Sequence, residues 1–215
     1  MRNRFIAPIL AAAIAASLAA PALAEPGSWL EPPGGNLKNL PKLSQQTLPK
    51  TGRGDRTQNL DFLFGALKVA PDETTAKAIE QRIWALWVVS PSDTANLLML
   101  RVRTAIEAKD TDLAIKLLDG IVKIKPDYVE AWNRRATLYY TKKDYGHSLA
   151  DIREVLKREP RHFGALMGLG LIMQDLGDDK QALEVYRRAL AVYPKLPRIP
   201  DLVKTLQEKV EGRDI

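Results

Sequence analysis

Pro126, Pro160 and Pro194 are evenly spaced, and Pro91 stands at almost the same interval before the first of them. The stretches between them share more than the proline. Residues 129–162 and 163–196 superimpose without a gap, placing Trp132 on Leu166, Ala136 on Gly170, Tyr139 on Met173, Ser148 on Ala182, Ile152 on Tyr186 and Val155 on Ala189. A fixed period of that length, with a small residue, an aromatic and a closing proline in register, is the signature of stacked helical hairpins. One such hairpin cannot bury its apolar face alone, so neighbours stack into a continuous core. The sequence therefore predicts an all-α chain, an α-solenoid of antiparallel helix pairs.

Apolar residues recur at helical spacing from residue 58 onward, and no run alternates as a half-buried strand would. The spacing predicts helices over 58–70, 73–89, 93–108, 112–124, 128–142, 145–158, 162–176, 179–192 and 200–211. Asp72 and Ser90-Pro91-Ser92-Asp93 read as helix starts, as does Asp127 with Glu130 in capping-box spacing. Gly177-Asp178 reads as a stop followed by a start. The array then covers 58–211: three clear repeats at 95–128, 129–162 and 163–196, a degenerate first unit at 60–91, and a capping helix at 200–211. The degenerate unit and the last helix are the expected caps of the stack. In the last helix Leu202, Val203, Leu206 and Val210 are expected to face inward. Of Trp84 and Trp87, one is expected in the core. The other would cover the open end of the stack or anchor a protein contact.

The first residues read as an address. Arg2 and Arg4 form a basic start, Phe5 to Ala20 is apolar and alanine-rich, and Ala22-Leu23-Ala24 has the small-x-small form of a signal-peptidase site. Residues 1–24 are expected to be a signal peptide cut after Ala24, which in a bacterium sends the chain to the periplasm. The apolar run is short and broken by Pro8 and Pro21, a poor fit to a membrane span. With the signal go Arg2 and Arg4, leaving 30 basic and 26 acidic residues, a net of +4. That excess is too small and too dispersed to argue for nucleic acid. There is no cysteine, so disulfides and thiolate chemistry are excluded and stability must come from packing. Residues 25–57 carry Pro32-Pro33-Gly34-Gly35 and read as a flexible or partly extended linker. Within it Trp29-Leu30 and Leu37, Leu40 and Leu43 are either a short docking segment or incidental.

The repeat residues resemble the tetratricopeptide repeat family. Residues 163–194 match it closely, with Leu169-Gly170 before Met173, then Leu176-Gly177-Asp178, Ala182, Tyr186, Ala189-Leu190 and Pro194. Residues 129–160 follow with Trp132, Tyr139, Asp144-Tyr145, Ile152 and Pro160, but have Arg135-Ala136 for the usual large-apolar and glycine pair and Ser148 for the usual alanine. The arrangement of signal, Pro/Gly leader and repeats also looks like exported members from alphaproteobacteria. That resemblance implies a periplasmic protein with a role in cell-envelope integrity.

Catalytic chemistry finds little footing. His147 and His162 are the only histidines, each at a predicted helix start, where capping or surface roles fit. Gly168-Leu169-Gly170 follows no strand, so it is a packing feature rather than a phosphate loop. Asp110/Asp112 and Asp178/Asp179 sit at helix starts, where caps and the helix dipole favour anions. The reading is a chain with no enzymatic activity, cofactor or metal. The resemblance implies that the first helix of each pair lines a concave surface, exposing among others Asn96, Met99, Arg103, Glu130, Asn133, Arg134, Thr137, Tyr140, Gly164, Met167, Gly168 and Leu171. Gly164 and Gly168 empty adjacent turns beside the adaptable Met167 and Leu171. The expected site is a shallow apolar pocket formed by these four, rimmed by Arg103, Asn133, Arg134 and Tyr140, that takes a protein or peptide partner. The rival is that the glycines only let helices pack. The expected function is a non-enzymatic periplasmic scaffold for protein interaction, in envelope integrity or assembly. The alternatives are a self-associating structural module and an accessory that presents a peptide or glycan chain to an envelope enzyme.

Overall fold

The computed structural model describes residues 53–212, with side chains from Arg56 onward. The signal peptide and most of the linker lie outside the described residues. Among the described residues the elements are helices: α1 (Arg53–Lys68), α2 (Glu73–Val88), α3 (Asp93–Glu107), α4 (Thr111–Ile124), α5 (Val129–Thr141), α6 (Tyr145–Arg158), α7 (Phe163–Asp175), α8 (Asp179–Val192) and α9 (Ile199–Val210). Helix α1 therefore begins inside the stretch expected to be linker.

The repeat is visible in the turns. Asp110, Asp144 and Asp178 each cap the second helix of a pair, accepting from the N–H of Leu113, His147 and Gln181 at 3.0, 3.2 and 3.0 Å. The residue before each cap is left-handed: Lys109 (φ 59°), Lys143 (φ 58°) and Gly177 (φ 80°). Only the third repeat places a glycine where this turn needs one. Asp72 caps α2 as expected, and Ser92 caps α3, so Pro91 stands before that helix and not in its first turn. The expected capping box at Asp127 and Glu130 is absent. Tyr128 holds the cap position of α5 without a capping hydrogen bond from its side chain, and Glu130 is buried instead.

Pairs α3–α4, α5–α6 and α7–α8 are antiparallel hairpins, and α4 meets α5 as α6 meets α7. Their contact is set by small residues. Ser148 is buried and its Oγ donates to the Ala136 carbonyl at 2.8 Å. At the matching site Gly170 leaves room for the Tyr186 ring. Helix α9 packs on α8 through Leu202, Val203 and Leu206, while Val210 stays exposed, contrary to expectation.

Arg135 replaces the usual apolar residue, and its structural use is clear. Its guanidinium takes Asp151 of α6 with both carboxylate oxygens, at 2.8 and 2.7 Å, and Asp119 of α4 at 2.7 Å. It lies 5.0 Å from the Trp132 ring. One side chain thus ties three helices together, and the hydrogen bonds it donates to Asp151 hold its pKa above the usual arginine value.

The N-terminal pair departs from the expected stack. Helices α1 and α2 form a hairpin, but its apolar side is spent on later helices of the array rather than on α3: α1 meets α8, and α2 meets α5. Leu63, Phe64, Leu67, Ile83, Trp84 and Trp87 share one buried cluster with Phe163, Leu183, Tyr186 and Tyr193. The open end at α3 shows what this leaves uncovered. Leu97 is 58% exposed, whereas Ala131 and Ala165, its equivalents in the next two repeats, are 0% and 2% exposed beneath the preceding repeat.

Candidate functional site

The site begins where the returning hairpin lands. Trp87 stacks on His162 with ring centroids 4.0 Å apart and planes 10° from parallel. Trp84 meets His162 and Phe163 edge-on, each at 5.5 Å. Both tryptophans are buried, so neither covers the open end. Polar contacts fix the orientation. Trp84 Nε1 and the Tyr193 hydroxyl each donate to Glu80 at 3.2 Å, Arg161 pairs with Asp61 at 2.7 Å, and Tyr128 donates to the Val88 carbonyl. Arg161 also lies over the Phe64 ring at 4.3 Å.

His162 is fully buried rather than a surface residue. Its Nδ1 accepts the Ala165 N–H at 3.1 Å and caps α7, which leaves Nε2 as the ring nitrogen able to donate. That nitrogen faces Glu130 Oε2 at 3.7 Å, too far for a hydrogen bond. Glu130 also lies 2.9 Å from Arg134 Nε, an ion-pair distance at which the N–H does not aim along the contact. Asn133 donates to Glu130 at 3.1 Å. The expected rim is therefore partly consumed internally: Glu130 is buried and Arg134 serves it.

Burial also acts on Glu80. Desolvation lifts its carboxyl pKa above the ordinary value, against the opposing bonds from Trp84 and Tyr193. A raised acid binds more protons folded than unfolded, so Glu80 lowers stability as pH rises through the normal and then the elevated pKa. Glu80→Gln keeps an acceptor for Trp84 and offers its amide N–H to the Tyr193 hydroxyl oxygen, reversing that bond. It is expected to raise the midpoint of urea unfolding at pH 7 and to flatten the decline in stability above pH 4.5. Urea titrations of both proteins across pH 4–7 check this.

The expected pocket is divided by this arrangement. A Cβ built on Gly164 would lie 3.1 Å from Trp84 Cη2, so the first emptied turn is filled by the chain's own α2. A Cβ on Gly168 would meet only Ile152 Cδ1 at 3.6 Å, ordinary contact. Asn133, Tyr140, Gly164 and Gly168 do converge, at the seam between α5 and α7, around a cleft of about 10 Å³. That is room for about one water molecule, so the seam is a surface crevice rather than a pocket for a side chain. Met167 and Leu171 are half-buried beside it. Tyr140 is engaged rather than free: burial, then the Asp175 carboxylate to which it hydrogen-bonds, raise its pKa.

Other expected positions fall elsewhere. Arg103 pairs with Glu107 on its own helix at 3.5 Å, and Met99 is buried. Asn96 clamps the turn before α3, exchanging hydrogen bonds of 2.8 Å with both the N–H and the carbonyl of Ser90. Sequence reasoning missed the buried pair Glu130 and His162 and the half-buried Glu80. Their only sequence signal was polar residues at positions where the helical period asks for apolar ones. No group of three or more histidine or acidic side chains stands ready for a metal among the described residues. None of the described helices is long and apolar enough to cross a membrane.

Known proteins share the repeat. A family profile described as tetratricopeptide repeat matches residues 133–197. A TPR repeat-containing protein of Rhizobium etli is 43% identical over 155 residues, 72% of this chain and 76% of the relative. A photosystem I assembly protein of Prochlorococcus marinus is 33% identical over 92 residues, 38% of this chain and 52% of that protein. Among solved structures, a MamA crystal structure superimposes with a TM-score of 0.52 at 18% identity, covering 76% of this chain and 88% of that one. The first TPR of RPAP3, solved with an HSP90 peptide, gives 0.52 at 17% identity, covering 56% of this chain and 95% of that one. At such identities the two structures attest the fold.

Proposed function

The chain belongs to the tetratricopeptide repeat family, whose arrays are protein-interaction scaffolds, and from that premise we propose that it is a periplasmic scaffold holding a protein or peptide partner, in envelope integrity or assembly. The observation that carries the reading is the α5–α7 seam, where Asn133 and Tyr140 edge a strip of surface left bare at Gly168. The returning hairpin walls off the Gly164 end. A partner lies along Gly168 and Leu171, across the face rather than in a deep pocket. Binding, not catalysis, suits a surface whose polar groups already have structural partners. The apolar, alanine-rich start and the Ala22-Leu23-Ala24 site support export.

Gly168→Arg tests the site without disturbing the core, because its Cβ has ordinary room. Mature protein beginning at Glu25 is immobilised and exposed to periplasmic extract. The variant is expected to lose about tenfold or more of a partner retained by the parent, at unchanged melting temperature. Equal retention by both proteins refutes the seam as the binding surface. Export is tested separately by N-terminal sequencing of protein recovered from the periplasm, where Glu25 is the expected first residue. A second reading, self-association, draws on the exposed Leu97 and Leu100 of α3. It predicts a sedimentation coefficient that rises with concentration.

A further inference from the structure

Positions 119, 135 and 151 recur in the next repeat as 153, 169 and 185. In the first set Arg135 fills the space between α4, α5 and α6 and ties Asp119 to Asp151. In the second set the acids become Arg153 and the buried Val185, and the filling guanidinium becomes Leu169. The tie is gone and the sign at its outer end is reversed. What remains is an open cleft of about 390 Å³ between α6 and α7, floored by Leu149, Ile152, Leu156 and Leu169. Arg153 and Lys157 edge it, one turn apart on α6. Both are exposed, and neither makes an ion pair among the described residues; their neighbour Glu154 pairs with Arg158 at 2.6 Å instead. Ile152 alone is shared with the α5–α7 seam, and no residue of α5 lines this cleft.

We propose that this cleft docks an acidic amphipathic helix of a partner protein, seating its apolar side chains on Leu149, Leu156 and Leu169 and its carboxylates on Arg153 and Lys157. The apolar floor runs along α6 at positions 149, 152 and 156, spacing that matches the i, i+3, i+7 anchors of a helix laid in a groove. Two unpaired cations beside that floor supply the complementary charge, which sets the partner's sign and register. The same two cations fall short of the four to eight that hold a protein to an anionic membrane. No aromatic platform for nucleic-acid bases lines the cleft. The site goes beyond the α5–α7 seam, so each can fail alone.

The probe is a fluorescein-labelled helical peptide of about five turns, with leucines at i, i+3 and i+7 flanked by glutamates, titrated with mature protein by anisotropy. It is expected to bind, more weakly as salt rises. Arg153→Asp with Lys157→Glu should weaken it about tenfold or more while binding a lysine-flanked version of the peptide, a swap that loss of folding cannot produce. Gly168→Arg should leave the affinity unchanged. The proposal is overturned by absence of binding, or by a leucine-to-alanine peptide or a lysine-flanked peptide binding the parent equally well. It also falls if phosphatidylglycerol vesicles bind through the same two residues, or if the double variant abolishes self-association instead of peptide binding.

Discussion

Gly170→Ala is expected to destabilise the protein by about 3 kcal/mol or more, among the costliest single-methyl additions in the array. The added Cβ would sit 2.2 Å from Tyr186 Cε1 and 2.7 Å from two further ring atoms. The ring has nowhere to go. Tyr186 is fully buried, and its hydroxyl donates to Gln174 at 2.6 Å, which fixes the far end. Either α7 and α8 must separate or the ring must leave its rotamer, and both break the contact that makes the hairpin. Gly120→Ala is the matched control. It adds the same methyl to α4 where nothing lies within 4 Å, and it should stabilise by about 0.5–1 kcal/mol. Urea titrations of the pair measure the difference. Equal stability of the two variants would mean that α7 and α8 do not approach as described.

Trp87→Ala should cost about 3–5 kcal/mol, and the loss should be local in a way the glycine variant's is not. Trp87 joins α2 to the array through His162 and Phe163, and to α1 through Phe64. Without it the hairpin keeps its own turns but loses the centre of its dock. The expected result is early release of α1–α2, with Trp84 emission moving to longer wavelength and protease cutting at residues 89–92. The helices from α3 to α9 should unfold later. A single unfolding step with no early change at Trp84 would contradict the dock.

The repeated hairpins were legible because their causes are local. Asp110, Asp144 and Asp178 each cap through the residue three positions on, and the small residues Ala136, Ser148, Gly170 and Ala182 sit at one period. The placement of α1–α2 was not legible, for a physical reason. Periodicity marks which face of α2 is apolar, but not which distant surface will cover it. The tryptophans advertised a contact and concealed the partner, which lies more than two repeats further along the chain at His162. Glu130 misled for a related reason. Its spacing from Asp127 fits a cap, yet its carboxylate is drawn inward toward Arg134 and His162. The glycines of the expected pocket divide on the same point. Gly164 is emptied for Trp84, and Gly168 is left for something outside the chain. Arg135 looked like a lapse from the family pattern, and only the fold shows both acids it was placed to reach.

The seam takes its shape from a hairpin that folds back over the array instead of extending it. Nuclear Overhauser contacts from the tryptophan rings test this directly, in protein with selectively labelled Trp, His, Phe and Leu. Rings 4.0 to 5.5 Å apart predict cross-peaks from Trp87 to His162 and from Trp84 to His162 and Phe163. Cross-peaks from Trp84 and Trp87 to Leu97 and Leu100 of α3, with none to His162 or Phe163, would instead show a fourth repeat stacked on the open end.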